Sequence, residues 1–151
     1  MNNHYVAGIV DGEGWIGIKK NIAGGNGRWN WARDCSYCPC IKVAQSEKGL
    51  ELIELLKDEF GGFVSKRIHN GERENNSYEW SLTAKKNILP FLTKIKDKLI
   101  LKKEQAEIVC EYYNDMNKRV SPSLSDEEVI RREKLYQSIK KLNFRGLAET
   151  E

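Results

Sequence analysis

Apolar and polar positions recur along this chain with two different periods, and each change of period marks a change of element. Over residues 5–13 the apolar positions recur at helical spacing, whereas over residues 15–21 large residues alternate with small or polar ones, as in a strand. Several glycines at residues 23–28 predict a loop, and a second strand is predicted at residues 35–44. The chain is therefore predicted to begin with a helix followed by a β-hairpin.

The same order of elements is predicted again further along the chain. Leu50, Ile53, Leu55 and Leu56 form an apolar stripe at helical spacing, and paired glycines at residues 61–62 end that helix. Helices are predicted at residues 48–60, 85–97, 103–118 and 125–142, and a second hairpin at residues 63–69 and 77–82. The prediction is an α+β fold of order αββαββα with C-terminal helices and a four-stranded antiparallel sheet.

Two helix boundaries carry more specific predictions. Pro90 predicts a kink or an early end in the helix at residues 85–97, because proline removes a backbone donor from the helix interior. Ser125 precedes three acidic residues, which is typical of a capping box at the start of the last helix.

Length and charge narrow the class of protein. The 151 residues suit one domain, predicted at residues 1–145, with residues 146–151 expected to be a disordered tail. The formal charge of +3 does not identify a nucleic-acid binder, although one groove can be basic while other surfaces are acidic. Neither a signal peptide nor an apolar run of membrane length occurs, so we expect a soluble intracellular protein with no membrane partner.

The junction between the first helix and the first strand is unusual, because it places an acid, Glu13, between two glycines. A negative charge at the C-terminal end of a helix has the wrong sign for the helix dipole, so we expect a functional reason for it. Ala7, Gly8 and Gly12 give the helix a small-residue face, which permits close approach to a second helix. Two copies of Glu13 would then lie near one another.

Residues 6–14, with the sequence VAGIVDGEG, resemble the LAGLIDADG signature of homing endonucleases position by position. The resemblance implies that the motif helix lies between two αββαββ halves and that Glu13, together with Gly12, binds the divalent metals that cut DNA. Glutamate in place of the commoner aspartate keeps the charge and the oxygen ligands. Because only one copy of the motif occurs, the resemblance implies a two-fold homodimer. Its interface residues would be Ala7, Gly8, Asp11 and Gly12.

Two further catalytic residues are carried over from the resemblance. Gln45, at the end of the second strand, would help order water near the metals. Lys102 would enter the active site and stabilise charge, with Lys103 as a close competitor. The expected cofactor is Mg²⁺ or Mn²⁺, and Ca²⁺ is expected to support binding without cleavage.

Strand alternation predicts which side chains face DNA, because a curved sheet in a major groove presents every second residue to base edges. Ile16, Ile18, Ile41 and Val43 are predicted to point away from the DNA. Arg67 is the first candidate for a guanine contact, since its two parallel donors match O6 and N7. The predicted DNA-binding residues are Trp15, Lys19, Asn21, Arg28, Arg33, Ser36, Cys38, Cys40, Lys42, Ser65, Arg67, His69, Ser77, Glu79 and Ser81.

The cysteines support a separate hypothesis. Cys35 and Cys38 form a CxxC pair, closely followed by Cys40, and a structural zinc site would need a further ligand such as His69 or Cys110. Free thiols in a reducing compartment are the alternative.

The predicted function is that of a site-specific DNA homing endonuclease. It would make a staggered double-strand break in a long pseudo-palindromic target and so promote intron or intein-type mobility. One alternative keeps the fold and replaces this activity with RNA maturation, for which intron RNA would be the partner, or with DNA binding without cleavage. A zinc-linked nucleic-acid module is the other alternative, and it leaves the motif helix unexplained.

Overall fold

The computed structural model describes residues 1–22, 35–68, 76–114 and 125–144. Its helices are α1 (Asn3–Glu13), α2 (Leu50–Phe60), α3 (Lys85–Ile95), α4 (Lys103–Asn114) and α5 (Asp126–Asn143). Its strands are β1 (Gly14–Ile22), β2 (Cys35–Ser46), β3 (Phe63–Arg67) and β4 (Ser77–Leu82). Short 3₁₀ turns precede α2 at Glu47–Gly49 and follow α3 at Lys96–Lys98. The order αββαββ followed by further helices confirms the predicted α+β fold class.

Some predictions fall on residues outside the described ranges. They are the loop at residues 23–28, the site residues Arg28, Arg33 and His69, the end of the helix at residues 115–118 and the tail at residues 146–151. The single domain at residues 1–145 also stays a prediction.

The four strands form one antiparallel sheet in the order β1-β2-β4-β3. On the face that the helices cover, Ile16, Ile41, Val43, Trp80 and Leu82 have no exposed surface. The opposite face, called the outer face below, follows from the register because side chains alternate along each strand. It carries Trp15, Gly17, Lys19, Asn21, Ser36, Cys38, Cys40, Lys42, Ala44, Phe63, Ser65, Arg67, Ser77, Glu79 and Ser81.

The hydrophobic core lies between the inner face of the sheet and the helices. An aromatic cluster of Phe60, Trp80 and Phe91 joins α2, β4 and α3, with ring centroids 4.8 Å apart for Phe60 and Phe91 and 5.4 Å apart for Trp80 and Phe91. The buried indole N–H of Trp80 donates to the carbonyl oxygen of Gly61 at 2.8 Å, so its polar atom is satisfied. The core therefore holds β4 against two helices.

Helix α5 is attached to the sheet through Glu133, which binds Lys20 of β1, Tyr37 of β2 and Gln137 of its own helix. The distance from Glu133 Oε2 to Lys20 Nζ is 3.0 Å, and Gln137 Nε2 donates to Glu133 Oε1 at 3.0 Å. The Tyr37 hydroxyl also donates to the Glu133 carboxylate. These four residues, called the Glu133 network below, connect α5 to the first two strands, about 100 positions earlier in the sequence.

Glu128 makes a second polar link, between α5 and α4. Its carboxylate accepts from Arg131 Nε at 2.9 Å and from Arg132 Nε at 3.0 Å, and Arg131 also donates to the main-chain oxygen of Tyr112 at 3.0 Å. The hydrogen bond from Arg131, followed by that from Arg132, lowers the pKa of Glu128 to about 2. The capping box is therefore half formed: Ser125 Oγ accepts from the Glu128 N–H at 3.2 Å, while the Glu128 side chain binds the two arginines.

Two details of the predicted helices are corrected. The early end at Pro90 does not occur, because α3 continues to Ile95 with Phe91, Leu92 and Ile95 all buried in the core. Leu55 is not part of the apolar stripe of α2, since it is 47% exposed. Among the described residues, none of the helices has the length and apolar character needed to span a membrane.

Candidate functional site

Glu13 is the last residue of α1, and its side chain is exposed where the helix passes directly into β1. Gly14 is required at this junction, because a Cβ there would lie 2.7 Å from the carbonyl oxygen of Val10. The N–H of Gly14 donates to that same oxygen and closes the helix. The tight junction therefore fixes where the Glu13 carboxylate leaves the chain.

An open groove of about 370 Å³ runs from Glu13 across the outer face. The residues that line it are Glu13, Trp15, Lys19, Lys42, Ala44 and Glu79. All of these except Ala44 were predicted as site residues from the sequence, from three different strands and one helix end. The structure thus brings the exposed carboxylate of Glu13 to one accessible surface with two lysines and Glu79.

Trp15 lies flat along the outer face rather than projecting from it. A Cβ on Gly17 would come within 2.2 Å of Cζ2 of the Trp15 indole, so glycine is needed beneath the ring. The Lys42 Nζ lies 5.7 Å from the centroid of the same ring. Trp15 therefore forms part of the floor of the groove.

Glu79 binds two cations on the outer face. Its Oε1 lies 3.4 Å from Lys42 Nζ, and its Oε2 accepts from Arg67 Nη2 at 3.0 Å. The Glu79 side chain is 12% exposed, whereas that of Arg67 is 59% exposed. These three residues are called the Glu79 triad below. Arg67, the first candidate for a guanine contact, is thus paired with another predicted DNA-binding residue.

Lys19 and Lys42 lie close enough on neighbouring strands to perturb each other. A hydrogen bond to Lys42 lowers the pKa of Lys19, and partial burial and the charge of Lys42 lower it further. Burial disfavours the charged form of Lys42, but the hydrogen bond with Lys19 and the Glu79 carboxylate outweigh burial and raise its pKa. Lys42 therefore keeps its proton more strongly than Lys19 does.

Two predicted base contacts are corrected by burial. Cys40 has no exposed surface, and Ser81 is 2% exposed. Cys40 is the register partner of Gly17, over which the Trp15 ring lies, and Ser81 lies between Lys42 and Phe63 on the adjacent strands. Both side chains are covered by larger neighbours on the outer face, so neither is available to a base.

Of the four predicted interface residues of α1, one is buried, two are exposed and the fourth, Asp11, is half-buried. Ala7 is 1% exposed and packs in the core of its own chain, so its prediction as an interface contact is wrong. Gly8 and Gly12 are exposed, and nothing lies within 4 Å of the place that a Cβ would take on either. Tyr5, 58% exposed, adds an aromatic ring to the exposed side of the helix.

Asp11 has a role within the chain that its predicted place in an interface does not suggest. Its carboxylate accepts hydrogen bonds from the backbone N–H groups of Ile100, Leu101 and Lys102, at 2.8, 3.1 and 3.0 Å. The Lys102 ammonium also donates to the main-chain oxygen of Asp11. Asp11 therefore fastens the turn before α4 to the motif helix. The partner atoms lie some 90 positions away in the sequence, and no local pattern indicates them.

The other two catalytic candidates do not line the groove beside Glu13. Lys102 lines a separate cavity of about 170 Å³, whose wall also includes Gly14 and Trp15. Gln45 packs on the turn that follows its strand, since a Cβ on Gly49 would lie 2.6 Å from the Cβ of Gln45. Within one chain, Trp15 is the residue that borders both the Glu13 groove and the Lys102 cavity.

The described residues do not cluster into a site that one chain alone could use to enclose a metal ion. Within residues 1–22, 35–68, 76–114 and 125–144, no group of three or more His, Cys, Asp or Glu side chains could hold a metal ion. Burial raises the pKa of the Cys40 and Cys110 thiols, which favours the thiol over the metal-binding thiolate. Glu13 suits Mg²⁺, which is commonly held by one or two carboxylates together with substrate phosphates.

Comparison with known proteins finds matches among solved structures, and the three described here are all homing endonucleases. No protein-family model matches the sequence, and no curated protein sequence matches it. The homing endonuclease I-CvuI, solved in complex with its target in the presence of calcium, matches with a TM-score of 0.72 at 19% identity over 99% of this chain and 85% of that one. The archaeal intron-encoded homing endonuclease I-Vdi141I, complexed with DNA, matches with a TM-score of 0.73 at 20% identity over 99% and 88%.

A third homing endonuclease, I-TnaI, has a TM-score of 0.67 at 18% identity, over 94% of this chain and 95% of that one. Sequence identities of 18–20% support a shared fold and nothing beyond it. The chain has the fold of the LAGLIDADG homing endonucleases over nearly its whole length, which confirms the fold that the resemblance of residues 6–14 implies.

Proposed function

We propose that this chain is a site-specific DNA endonuclease of the homing type, which works as a two-fold homodimer. The observation that carries the proposal is the exposed carboxylate of Glu13, which shares one open groove with Lys19 and Lys42 on the outer face of the sheet. A carboxylate suits a divalent metal, and lysines suit phosphate. Both are needed to cut a phosphodiester in a bound duplex.

The outer face suits duplex DNA in shape and in charge. A two-stranded or larger antiparallel ribbon fits the major groove, and alternate side chains reach the base edges. Lys19, Lys42 and Arg67 supply donors there, and Asn21 and Ser36 are exposed on the same face. Solved structures of this fold, I-CvuI and I-Vdi141I among them, include complexes with DNA, which supports the same use of the sheet here.

The exposed side of α1 suits a second copy of the chain. Gly8 and Gly12 leave its backbone open, and two apolar residues beside it, Ile100 and Leu101, are 85% and 71% exposed. Apolar surface of this kind next to a small-residue helix favours close packing with a partner. Two-fold pairing of α1 would place two Glu13 carboxylates and two sheets on successive turns of DNA. The target would be a pseudo-palindrome of roughly 20 base pairs.

In the proposed mechanism Glu13 from each copy holds a divalent ion, Mg²⁺ or Mn²⁺, with Gly12 beside it. When bound, the ion supplies a Lewis acid for the phosphate and acidifies water. Lys102 would offset the negative charge that develops on the phosphate, and Gln45 would orient water near the scissile bond. Each copy would cut one strand, which gives a staggered double-strand break and promotes intron or intein-type mobility.

The test begins with the purified full chain and a pool of randomised duplexes in Ca²⁺. Duplexes that are retained are sequenced, and Mg²⁺ is then added to the enriched pool. We expect a long pseudo-palindrome that is cut on both strands, with a mass in solution of two chains. Glu13→Gln should bind the same duplex and leave it uncut, whereas Glu54→Gln, the same change on an exposed part of α2, should cut normally.

Other outcomes select the alternatives. Enrichment of a duplex that is never cut in Mg²⁺ or Mn²⁺ would indicate a DNA-binding regulator, and retention of structured intron RNA in place of duplex DNA would indicate a maturase. If no nucleic acid is enriched, the proposal is wrong.

A further inference from the structure

We infer that Glu79 is a specificity-determining residue, which restrains Lys42 and Arg67 until they meet the correct base pairs. The inference rests on the proposed function only in that the outer face binds duplex DNA. It does not require that the DNA be cut.

The geometry shows one carboxylate shared between two cations. Each oxygen of Glu79 serves a different partner, Oε1 facing Lys42 at 3.4 Å and Oε2 accepting from Arg67 at 3.0 Å. Both carboxylate oxygens have a partner, although the side chain lies on the face of the sheet opposite to the one that the described helices cover. The triad keeps a net charge of +1, where Lys42 and Arg67 alone would present +2.

The two cations differ in how firmly they are held. The Arg67 side chain is 59% exposed, so its pair with Glu79 is screened by water and salt and is easily exchanged. The Lys42 side chain is 19% exposed and lies 5.7 Å from the Trp15 ring, so it has less freedom to leave. DNA binding would therefore release Arg67 first, while Glu79 stays beside Lys42.

The Arg67 guanidinium and the Glu79 oxygen that it leaves are complementary to the hydrogen-bonding groups of a G·C pair. Arg67 could donate to O6 and N7 of guanine, and the oxygen of Glu79 that Arg67 vacates could accept from N4 of cytosine. A thymine offers that carboxylate only the O4 acceptor and a methyl group, and a phosphate repels it. Glu79 therefore penalises contact with phosphates and with a thymine in the place of that cytosine, and an adenine in the place of guanine would present its N6 amino donor to Arg67. We expect G·C pairs at the two positions, one in each half-site, that face the Glu79 triad.

The test compares Glu79→Gln, which keeps the shape and removes the charge, with the control Glu54→Gln on α2. Affinity for the selected duplex and for an unrelated duplex is measured in Ca²⁺ over a range of salt concentrations. In Glu79→Gln the slope of log K against log salt should steepen by about one for the unrelated duplex, because one more cation reaches phosphate. The ratio of specific to unrelated affinity should fall by about tenfold or more, the size of one lost base contact.

A second variant tests the base preference separately. Arg67→Lys keeps the charge and loses the two parallel donors, so it should leave the salt slope unchanged and remove the preference for G·C facing the triad. Thermal melting of each variant checks that it is folded. The inference is overturned if Glu79→Gln keeps the wild-type slope and ratio, or if Arg67→Lys keeps the base preference.

Failure of the inference and failure of the proposed function give different results. A wild-type chain that selects a duplex but never cuts it contradicts the endonuclease and leaves the Glu79 prediction to its own result. A wild-type chain that selects no duplex contradicts both.

Discussion

On each side of the sheet a glutamate binds a lysine, but the two glutamates have different partners and surroundings. On the inner face, Glu133 of α5 binds Lys20 at 3.0 Å and also accepts from Tyr37 and Gln137. On the outer face, Glu79 binds Lys42 and Arg67. The chemistry is the same, a carboxylate among cations and neutral donors, but the partners of Glu133 come from three elements whereas those of Glu79 all lie in the sheet.

The Glu133 network and the Glu79 triad differ in which contacts would be lost if their ion pairs were broken. The Lys20 ammonium lies 5.6 Å from the Tyr136 ring centroid and 5.9 Å from that of Tyr37, so it is enclosed by the packing of α5. Breaking the Glu133 network would loosen α5 from the sheet. Breaking the Glu79 triad would separate side chains of the sheet alone, of which Arg67 is 59% exposed. Similar ion pairs thus support the fold on one face and remain exchangeable on the other.

The largest effect is expected from Trp80, which is adjacent to Glu79 on β4 but belongs to the inner face. Trp80 points inward with no exposed surface, and Trp80→Ala should lower the free energy of unfolding by about 3–5 kcal/mol through lost packing and the cavity left behind. Urea denaturation followed by circular dichroism measures this. A loss below about 1 kcal/mol would show that the inner face is not the main source of stability.

A middle-sized effect is expected in the Glu133 network. Glu133→Gln leaves partly buried donors with a weaker acceptor, so the free energy of unfolding should fall by about 1–3 kcal/mol. Glu127→Gln, at an exposed position on the same helix, is the matched control and should change it by less than about 0.5 kcal/mol. Equal effects of the two substitutions would contradict a structural role for Glu133.

Acid should weaken the two polar links of α5, those of Glu128 and Glu133. Arginine hydrogen bonds lower the pKa of Glu128 to about 2, and although burial opposes ionisation of Glu133, hydrogen bonds from Tyr37, Gln137 and Lys20 lower its pKa too. A depressed carboxylate pKa stabilises the fold above the unfolded value near 4.5, and this stability is lost as the pH falls through the folded value.

The melting temperature should therefore decline between about pH 5 and pH 2. Glu128→Gln should flatten that decline and lower the melting temperature at pH 7. A parallel decline in wild type and variant would show that other carboxylates dominate the acid response.

The smallest effect on the free energy of unfolding is expected from Glu79, the residue before Trp80 in β4. Glu79→Gln should change the free energy of unfolding by less than about 0.5 kcal/mol, because its two pairs join neighbouring strands that the sheet already holds and Arg67 is 59% exposed. The same denaturation curves measure it. A loss as large as that of Glu133→Gln would mean that the outer cluster also holds the fold together, and the contrast between the faces would not stand.

The order of elements could be predicted from the sequence because periods of 3.6 and 2 leave direct traces in the positions of apolar residues. The assignment of side chains to the two faces followed as well, since a strand allows no other alternation. Exposure on a face could not be predicted in the same way. Cys40 is covered because Trp15 lies over Gly17, and which way a tryptophan lies depends on its neighbours across the sheet.

The candidate site shows the same division. Glu13 could be singled out because its charge is wrong for its place in the helix, and Lys42 and Glu79 because of strand parity. The pairing of Glu79 with Lys42 and Arg67 depends on the register of three strands, which no local pattern contains. Ala7 was assigned to the wrong side of α1 because small residues occur on both its buried and its exposed sides.

The alternation of Trp80 with Glu79 and Ser81 along β4 bears on how a protein with the proposed function could acquire a new target. The inward residue Trp80 is buried in the core, whereas the outward residue Glu79 contacts side chains of the sheet alone. We therefore expect substitutions at Glu79, Lys42 or Arg67 to accumulate while the chain still folds. On the proposed function, the residues that contact DNA could then change during evolution while the residues that hold the fold stay the same.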